Sequence, residues 1–562
     1  MSARSAPLAL SASLFAVVAW LVALPLLGVA WGIFWTAKPG DPGGHFSLLM
    51  PIETALSGDY GRALVNTLVL AGLTTAIATP LGIGIAWLTT RTDMPMRRFL
   101  GRAMLLPIFL SPLVGVLAWI ALASPRSGFI NTLAAATLGT QGPLINIFTL
   151  AGMVLVMVLH YTSYAYIYGI SAFALDGSFE EASTVSGAGI LQTLRHVVMP
   201  LALPSILASG LMIFVLAAEQ FPVPGMLGRP ARFETLPSLI YFHLEYTPTD
   251  THGATVAGGM LICITVLGLL LFRHLLRNAR KYVTVGGKGL RAPRIVRLPQ
   301  AVRWGAFAGT LTFLVLALVL PLIGIVLGSL LKFMPANLSR ARWTFDNYRV
   351  VFSSEFHKAV LNTGILAVVV SVGTTLLGAL IAYYIVQRWR GASLLDGITS
   401  LPTALPGLAL ALGFLWIYTM LPISLYGTIW LLMIAYACRF LAHGVRLCNA
   451  GFTRLGPELD EAARISGAGP LRRLFTIQMP LIRGNLGGAV ILLFIYATIE
   501  VSSTIVLYST DSITVSVFIW RGMQMSGSVQ VFAVAVMQTL VIGTLVAVSA
   551  RWLDPREGRS SP

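Results

Sequence analysis

The sequence predicts an all-α membrane protein of about twelve transmembrane helices, arranged as two parallel-oriented repeats of six. Three observations predict it. First, 56% of the 562 residues are hydrophobic and only 10% are charged, against about 25% charged in soluble domains. Second, apolar runs long enough to cross a bilayer, about 20 residues each, recur along the whole chain. Third, a polar stretch at 180–201, EEASTVSGAGILQTLRHVVMPL, returns at 460–481 as DEAARISGAGPLRRLFTIQMPL. Lipid offers the backbone no hydrogen-bond partners, so runs of this length must be helices.

The elements follow in order. The first apolar run, 8–35, sits behind a basic start. Its length exceeds the ~7–15 residues of a signal-peptide core, so it reads as an uncleaved first helix. Spans are expected near 10–35, 63–90, 103–123, 147–172, 203–225 and 254–276. The second half repeats them near 305–331, 359–387, 398–420, 425–448, 485–507 and 528–550. Prolines in 103–123 and 398–420 make those two runs irregular, and ten or eleven helices is the alternative count.

Loop charges set the orientation. Segment 273–303 carries Arg273, Arg277, Arg280, Lys281, Lys288, Arg291, Arg294, Arg297 and Arg303 with no acid. Loop 91–102 carries Arg91, Arg97, Arg98 and Arg102 against Asp93. Basic loops stay on the cytoplasmic side. The loops at 124–146 and 229–252 are poor or mixed in charge and read as outside. Alternation then places both termini, and both copies of the polar stretch, in the cytoplasm. The loop 332–358 fits less well, since it is basic but falls outside. The net charge of +17 is thus spread over short inter-helix segments rather than gathered into the wettable face that a nucleic-acid binder needs.

The two polar stretches align without gaps and share eleven of 22 positions, including Glu181/Glu461, Ala182/Ala462, Gly187/Gly467, Gly189/Gly469, Leu191/Leu471 and Pro200/Pro480. Upstream, NTLVLAGLTTAIATPLGIGIAWL at 66–88 resembles NTGILAVVVSVGTTLLGALIAYY at 362–384, pairing Asn66 with Asn362 and Gly82 with Gly378. Six helices is an even number, so the halves share one orientation, related by a pseudo-two-fold axis along the membrane normal. Within each stretch, acids (Glu180 and Glu181; Asp460 and Glu461) open a helix, where its dipole favours them. Gly187 and Gly189, like Gly467 and Gly469, interrupt it, and the proline starts the next span. The small Ala182 and Ala188 allow another surface to approach.

EASTVSG followed by Pro200-Leu201, and EAARISG followed by Pro480-Leu481, resemble the EAA loop of ABC importer permeases of the type I fold. The resemblance covers about 62–273 and 358–550. The first copy departs from the pattern in carrying Ser183 where alanine is usual. In that family the loop is a coupling helix that docks on a separate ATPase subunit. The resemblance therefore implies a bacterial inner-membrane permease with two ATP-binding cassette ATPase partners, a periplasmic binding protein, and ATP and Mg only on the partners. It assigns Glu180, Glu181, Ala182, Gly187, Gly189, Leu191, Asp460, Glu461, Ala462, Gly467, Gly469 and Leu471 to ATPase coupling. The expected units are 1–61 (first transmembrane helix and periplasmic loop), 62–273 (first permease domain) and 274–304 (basic cytoplasmic linker). They continue as 305–357 (seventh helix and periplasmic loop), 358–550 (second permease domain) and 551–562 (cytoplasmic tail).

This chain is not expected to hydrolyse ATP. A phosphate-binding loop needs GxxxxGK[ST]; the GGK at 286–288 is followed by Gly289, and Tyr282 stands at the first motif position. The three cysteines and scattered histidines lack metal-site spacing. Charged residues inside spans are functional candidates. Glu219 and Glu500 lie 19 and 20 residues past Pro200 and Pro480, roughly 30 Å along a helix, so they are expected near the outer mouth, as acids touching a cationic or metal-bearing substrate. The competing reading is acids at the membrane border that meet water or cap a helix. His160, Tyr164 and Gln387 are weaker candidates, since a lone intramembrane histidine is usually an interhelical hydrogen-bond group. KYVTVGGKGLR at 281–291 and the fused length resemble the ferric-iron permease family, although Gly286 stands where that linker has threonine. Thiamine, polyamine and phosphonate permeases are the alternatives. A twelve-helix secondary transporter would share the length and the parallel repeat, but would leave the doubled cytoplasmic loop without a purpose.

Overall fold

The computed structural model describes residues 8–41, 43–140, 142–173, 183, 185–279, 295–337, 340–526 and 529–553. The described residues are helical apart from loops and three isolated β-bridges. Helix α1 spans Leu10–Phe34 and α2 Gly58–Arg91. Next come α3 (Arg97–Phe109) and α4 (Pro112–Ala123), then α5 (Leu150–Ala172) and α6 (Leu194–Ala218). Two short helices, α7 (Pro222–Leu227) and α8 (Leu236–Glu245), precede α9 (Thr251–Ala279). The second half runs α10 (Gln300–Ser329), α11 (Ser354–Val386), α12 (Ala392–Thr403), α13 (Gly407–Met420) and α14 (Ile429–Phe452). It continues with α15 (Pro457–Ile465), α16 (Pro470–Leu481), α17 (Arg483–Ile499), α18 (Val515–Ser526) and α19 (Gln530–Leu553). Nine of the described helices are long and apolar enough to cross a membrane; joining each bent pair raises the number to twelve.

The two proline-bearing runs are irregular, as expected: α3 and α4 meet at 98° and α12 and α13 at 105°, because Pro107, Pro112, Pro402 and Pro406 cannot donate to a continuing helix. Two sequence expectations change. The span expected at 203–225 begins earlier, at Leu194, and ends at Ala218. The loop at 229–252, read as outside, contains the apolar α8, whose residues 236–242 are all buried. A capping box between Thr235 and Ser238 starts that helix.

Prolines also explain a recurring irregularity. Wide π turns occupy Ala19–Ala23, Leu194–Val198, Val315–Val319 and Leu474–Gln478. Each is followed by a proline: Pro25, Pro200, Pro321 and Pro480. A proline lacks the N–H and crowds the carbonyl four residues back, and a wide turn absorbs the mismatch without ending the helix. The first and third of these turns sit in α1 and α10, so the repeat extends to the first helix of each half. PLLGVAWG at 25–32 answers PLIGIVLG at 321–328.

Lipid is as apolar as leucine, so these helices associate through close packing and hydrogen bonds rather than through burial from water. The duplicated glycines show where. A Cβ on Gly378 would lie 2.7 Å from the Gly444 carbonyl carbon, and one on Gly82 would overlap Ala165 and the Thr162 carbonyl. Thus α2 crosses α5, and α11 crosses α14, nearly backbone to backbone. The first helices exchange partners: Gly28 of α1 meets Gly413 of α13, and Gly324 of α10 meets Ala118 and Leu122 of α4. Each first helix therefore clasps the opposite half. Trp416 of α13 adds a hydrogen bond to Thr255 of α9, Nε1 to Oγ1, at 2.8 Å. Asn66 and Asn362 also acquire a shared role. The Asn66 amide donates to the Glu234 carbonyl at 2.8 Å, and the Asn362 amide to the Asp511 and Ile513 carbonyls at 2.9 Å. Next to them, Thr67 and Thr363 accept from the first amides of α8 and α18, Leu236 and Val515, both at 2.9 Å.

Candidate functional site

The second polar stretch is described throughout. α15 carries Glu458 and Asp460 in its first turn and Arg464 in its last, the charge order its dipole favours. It ends in a left-handed residue, Gly467 at φ +77. The amide of Ala468 donates to the Ala463 carbonyl at 3.1 Å and that of Gly467 to Arg464 at 3.0 Å, the bonds of a Schellman close. Glu180, Glu181 and Ala182 of the first stretch lie outside the described residues. Its turn is built in the same way: Gly187 sits at φ +82, and the Ala188 amide donates to the Ser183 carbonyl at 3.1 Å.

Only the first glycine of each pair needs its freedom. Gly469 has φ −66 and ψ 163 and serves as the N-cap of α16, a conformation open to any residue and one favoured before Pro470. Two features were not read from the sequence. Val185 and Ile465 hold equivalent positions and are left 89% and 86% exposed, a matched pair of apolar knobs; their signal was an apolar residue one place before the shared Ser-Gly. The turn is also braced differently in the two copies. In the second, Asp460 accepts from Arg473 at 2.9 Å and from Gln478 at 3.1 Å. In the first, Ser183 hydrogen-bonds Thr193 at 2.9 Å, which gives the departing serine a partner. Glu461, Ala462 and Leu471 are exposed.

The two acids converge elsewhere. Glu219 follows the last residue of α6, and Glu500 the last residue of α17. Both reach one guanidinium, that of Arg439 near the middle of the 24-residue α14. Arg439 Nε lies 3.1 Å from Glu500 Oε2, and Nη2 lies 3.9 Å from Glu219 Oε1. The three side chains are 8–19% exposed. Glu500 also accepts from the Ser503 amide at 2.8 Å. The acids are therefore level with mid-helix rather than the outer mouth. The count from Pro480 overstated the climb, because α16 and α17 meet at 81° and α17 starts only at Arg483. A cavity of about 240 Å³ opens beside the cluster, lined from the first half by His160, Tyr164 and Glu219 and from the second by Arg439, His443, Tyr496 and Glu500. His160 packs against Tyr164, ring centroids 5.7 Å apart. Gln387 merely ends α11. Arg439 was not singled out in the sequence, although an arginine in the middle of an apolar run was signal enough.

The family described as "Binding-protein-dependent transport system inner membrane component" matches residues 78–281 and again 374–559, once in each half. A protein of Haemophilus influenzae, provisionally named ferric transport system permease protein FbpB 1, is 28% identical over 464 residues, which is 80% of this chain and 71% of that relative. The ferric transport system permease protein FbpB of Actinobacillus pleuropneumoniae is 27% identical over 82% of this chain and 66% of its own length. The chain thus spans roughly two thirds of the length of these relatives. Among solved structures, a bacterial alginate ABC transporter in complex with an alginate-bound periplasmic protein aligns with 48% of this chain and 95% of its own, at 17% identity and a TM-score of 0.40.

Proposed function

The chain belongs to the binding-protein-dependent transport system inner membrane components, and we propose that it is the membrane-spanning subunit of an ATP-driven importer whose cargo is ferric iron. In this reading a periplasmic binding protein delivers the cargo to the outer face, and two ATPase subunits grip the two cytoplasmic turns. ATP and Mg reside on those subunits, and both termini of this chain face the cytoplasm. The observation that carries the reading is the matched pair of left-handed glycine turns at Gly187 and Gly467, each preceded by a strongly exposed apolar residue, Val185 or Ile465. A motor that closes on ATP shifts the membrane domain only if it binds one conformation better than the other, and two equivalent handles let one closure act on both halves. The names of the relatives support iron as the cargo.

A phosphonate is the second reading for the cargo, favoured by the guanidinium of Arg439 at the cavity, since arginine suits phosphoryl oxygens. Purification should recover two ATPase subunits with this chain. Proteoliposomes holding that complex should accumulate ferric iron from the loaded binding protein only with internal ATP. Recovery without an ATPase would overturn the importer reading, and uptake of a phosphonate with no uptake of iron would overturn the cargo.

A further inference from the structure

Resting on the reading of a cationic cargo, we propose that Arg439 is a tethered internal cation that occupies a two-carboxylate transit site between the halves, and that cargo passes by displacing it. The carboxylates come from opposite halves, Glu219 after α6 and Glu500 after α17, yet they share one guanidinium. The hold is uneven. Glu500 is at hydrogen-bond distance, 3.1 Å, whereas Glu219 at 3.9 Å is at the edge of ion-pair contact, so the bridge between the halves is its weaker link. The cavity of about 240 Å³ lies against the same three side chains and gives the arginine somewhere to swing. His443 Nδ1 on the cavity wall is buried and has no hydrogen-bond partner among the described residues, leaving a nitrogen free for an arriving cation.

The repeat argues that the guanidinium is not packing material. α5 and α14 end at Ala172 and Phe452, 280 residues apart, the offset of the two polar stretches. The counterpart of Arg439 is therefore Leu159, a buried apolar residue. The helix crossing is satisfied without a charge in one half and carries one in the other. The second half also makes room for it: a Cβ on Gly407, at the bend between α12 and α13, would overlap the guanidinium.

With Arg439 in place two carboxylates face one guanidinium and hold the halves together. A multivalent cation arriving from the outer side meets both carboxylates at a weakly dielectric site, where charge interactions are strong. It displaces the guanidinium, and as the cation leaves inward the arginine returns and resets the interface. The tethered cation is thus a competitor that keeps the carboxylates from retaining the cargo.

The test uses the assembled complex with its ATPase subunits in proteoliposomes, with ferric iron on the binding protein as the probe. Failure of the unaltered complex to take up iron overturns the cargo reading itself. Given wild-type uptake, Arg439→Gln should raise the iron retained per complex after the binding protein is washed away by at least about tenfold, since a charge contact at this distance is worth more than the ~1.4 kcal/mol that tenfold requires. Uptake per ATP should fall, and adding Glu219→Gln should return retention to the wild-type level. Arg439→Lys, which keeps the charge and so spares assembly, should give an intermediate retention because an ammonium cannot fork between two carboxylates. Wild-type retention in both Arg439 variants, or raised retention that survives Glu219→Gln, would overturn the proposal while leaving the cargo reading intact.

Discussion

Replacing Gly467 with valine isolates the turn after α15, proposed above to be gripped by the ATPase, from everything else. The residue sits at φ +77, and a Cβ there would meet nothing within 4 Å, so the substitution brings no clash with a neighbour. Its whole cost is backbone strain, about 1–2 kcal/mol for an L-residue in the left-handed region, with a β-branched side chain at the upper end. That lowers the population of the native turn by roughly 5- to 30-fold. Asparagine tolerates this conformation, so Gly467→Asn should retain most function. Gly469→Ala should be close to neutral, because Gly469 has an ordinary extended backbone. The assay is ATP-dependent uptake by the reconstituted complex, with membrane yield and recovered ATPase measured in parallel. Transport should fall in the order Gly469→Ala, Gly467→Asn, Gly467→Val while insertion stays constant, and Gly187→Val should repeat the loss in the first half. Equal transport by the valine and asparagine variants, or a defect in Gly469→Ala as deep as that of Gly467→Val, would refute the strain argument.

Removing the Asp460 carboxylate with alanine leaves Arg473 half-stranded; both side chains are under 15% exposed, and loss of one partner of a buried pair costs about 3–5 kcal/mol, so hydrogen exchange across 457–481 should accelerate and ATPase recovery should drop. In the first copy, Ser183→Ala removes one neutral hydrogen bond, to Thr193, and should cost only about 1 kcal/mol by the same exchange measurement. Gly378→Leu forces α11 away from α14, because the first side-chain atom already lies 2.7 Å from the Gly444 backbone; a loss of roughly 1–3 kcal/mol or more should appear as a lower melting temperature in detergent. Asp93, in the loop between α2 and α3, accepts from the Leu298 amide at 2.9 Å and pairs with Arg303 at 3.5 Å. These contacts, the Leu298 hydrogen bond foremost, hold its carboxyl below the ordinary value of 3.8. A depressed folded-state value means the clamp between segments 91–94 and 296–303 is fully present above pH 3.8 and is lost as pH falls through the lower folded value. Limited proteolysis at that clamp should therefore stay flat from neutral pH down to about that point and rise only below it, whereas Asp93→Asn should remove the dependence.

The apolar spans were legible in the chain because lipid imposes a local rule: each segment must satisfy its own backbone and present apolar side chains, and both conditions are written residue by residue. The parallel duplication was legible for the same reason, since a repeated turn needs a repeated glycine wherever the backbone must go left-handed, as at Gly187 and Gly467. Even the unread repeat of the first helix, PLLGVAWG and PLIGIVLG, was present as a string. Other features depend on which faces meet. Gly189 and Gly469 looked equivalent to their neighbours until backbone angles separated a left-handed turn from an ordinary cap. The exchange of α1 and α10 onto opposite halves follows from close packing at Gly28–Gly413 and at Gly324, where the fit of two surfaces, and not the composition of either, selects the partner. Above all, the chain marks Glu219, Arg439 and Glu500 only as three costly charges in apolar surroundings. Charges in a low-dielectric interior must find one another, but which of them meet, and that they meet between the halves beside a cavity, is set by helix bends and crossings that no single segment encodes.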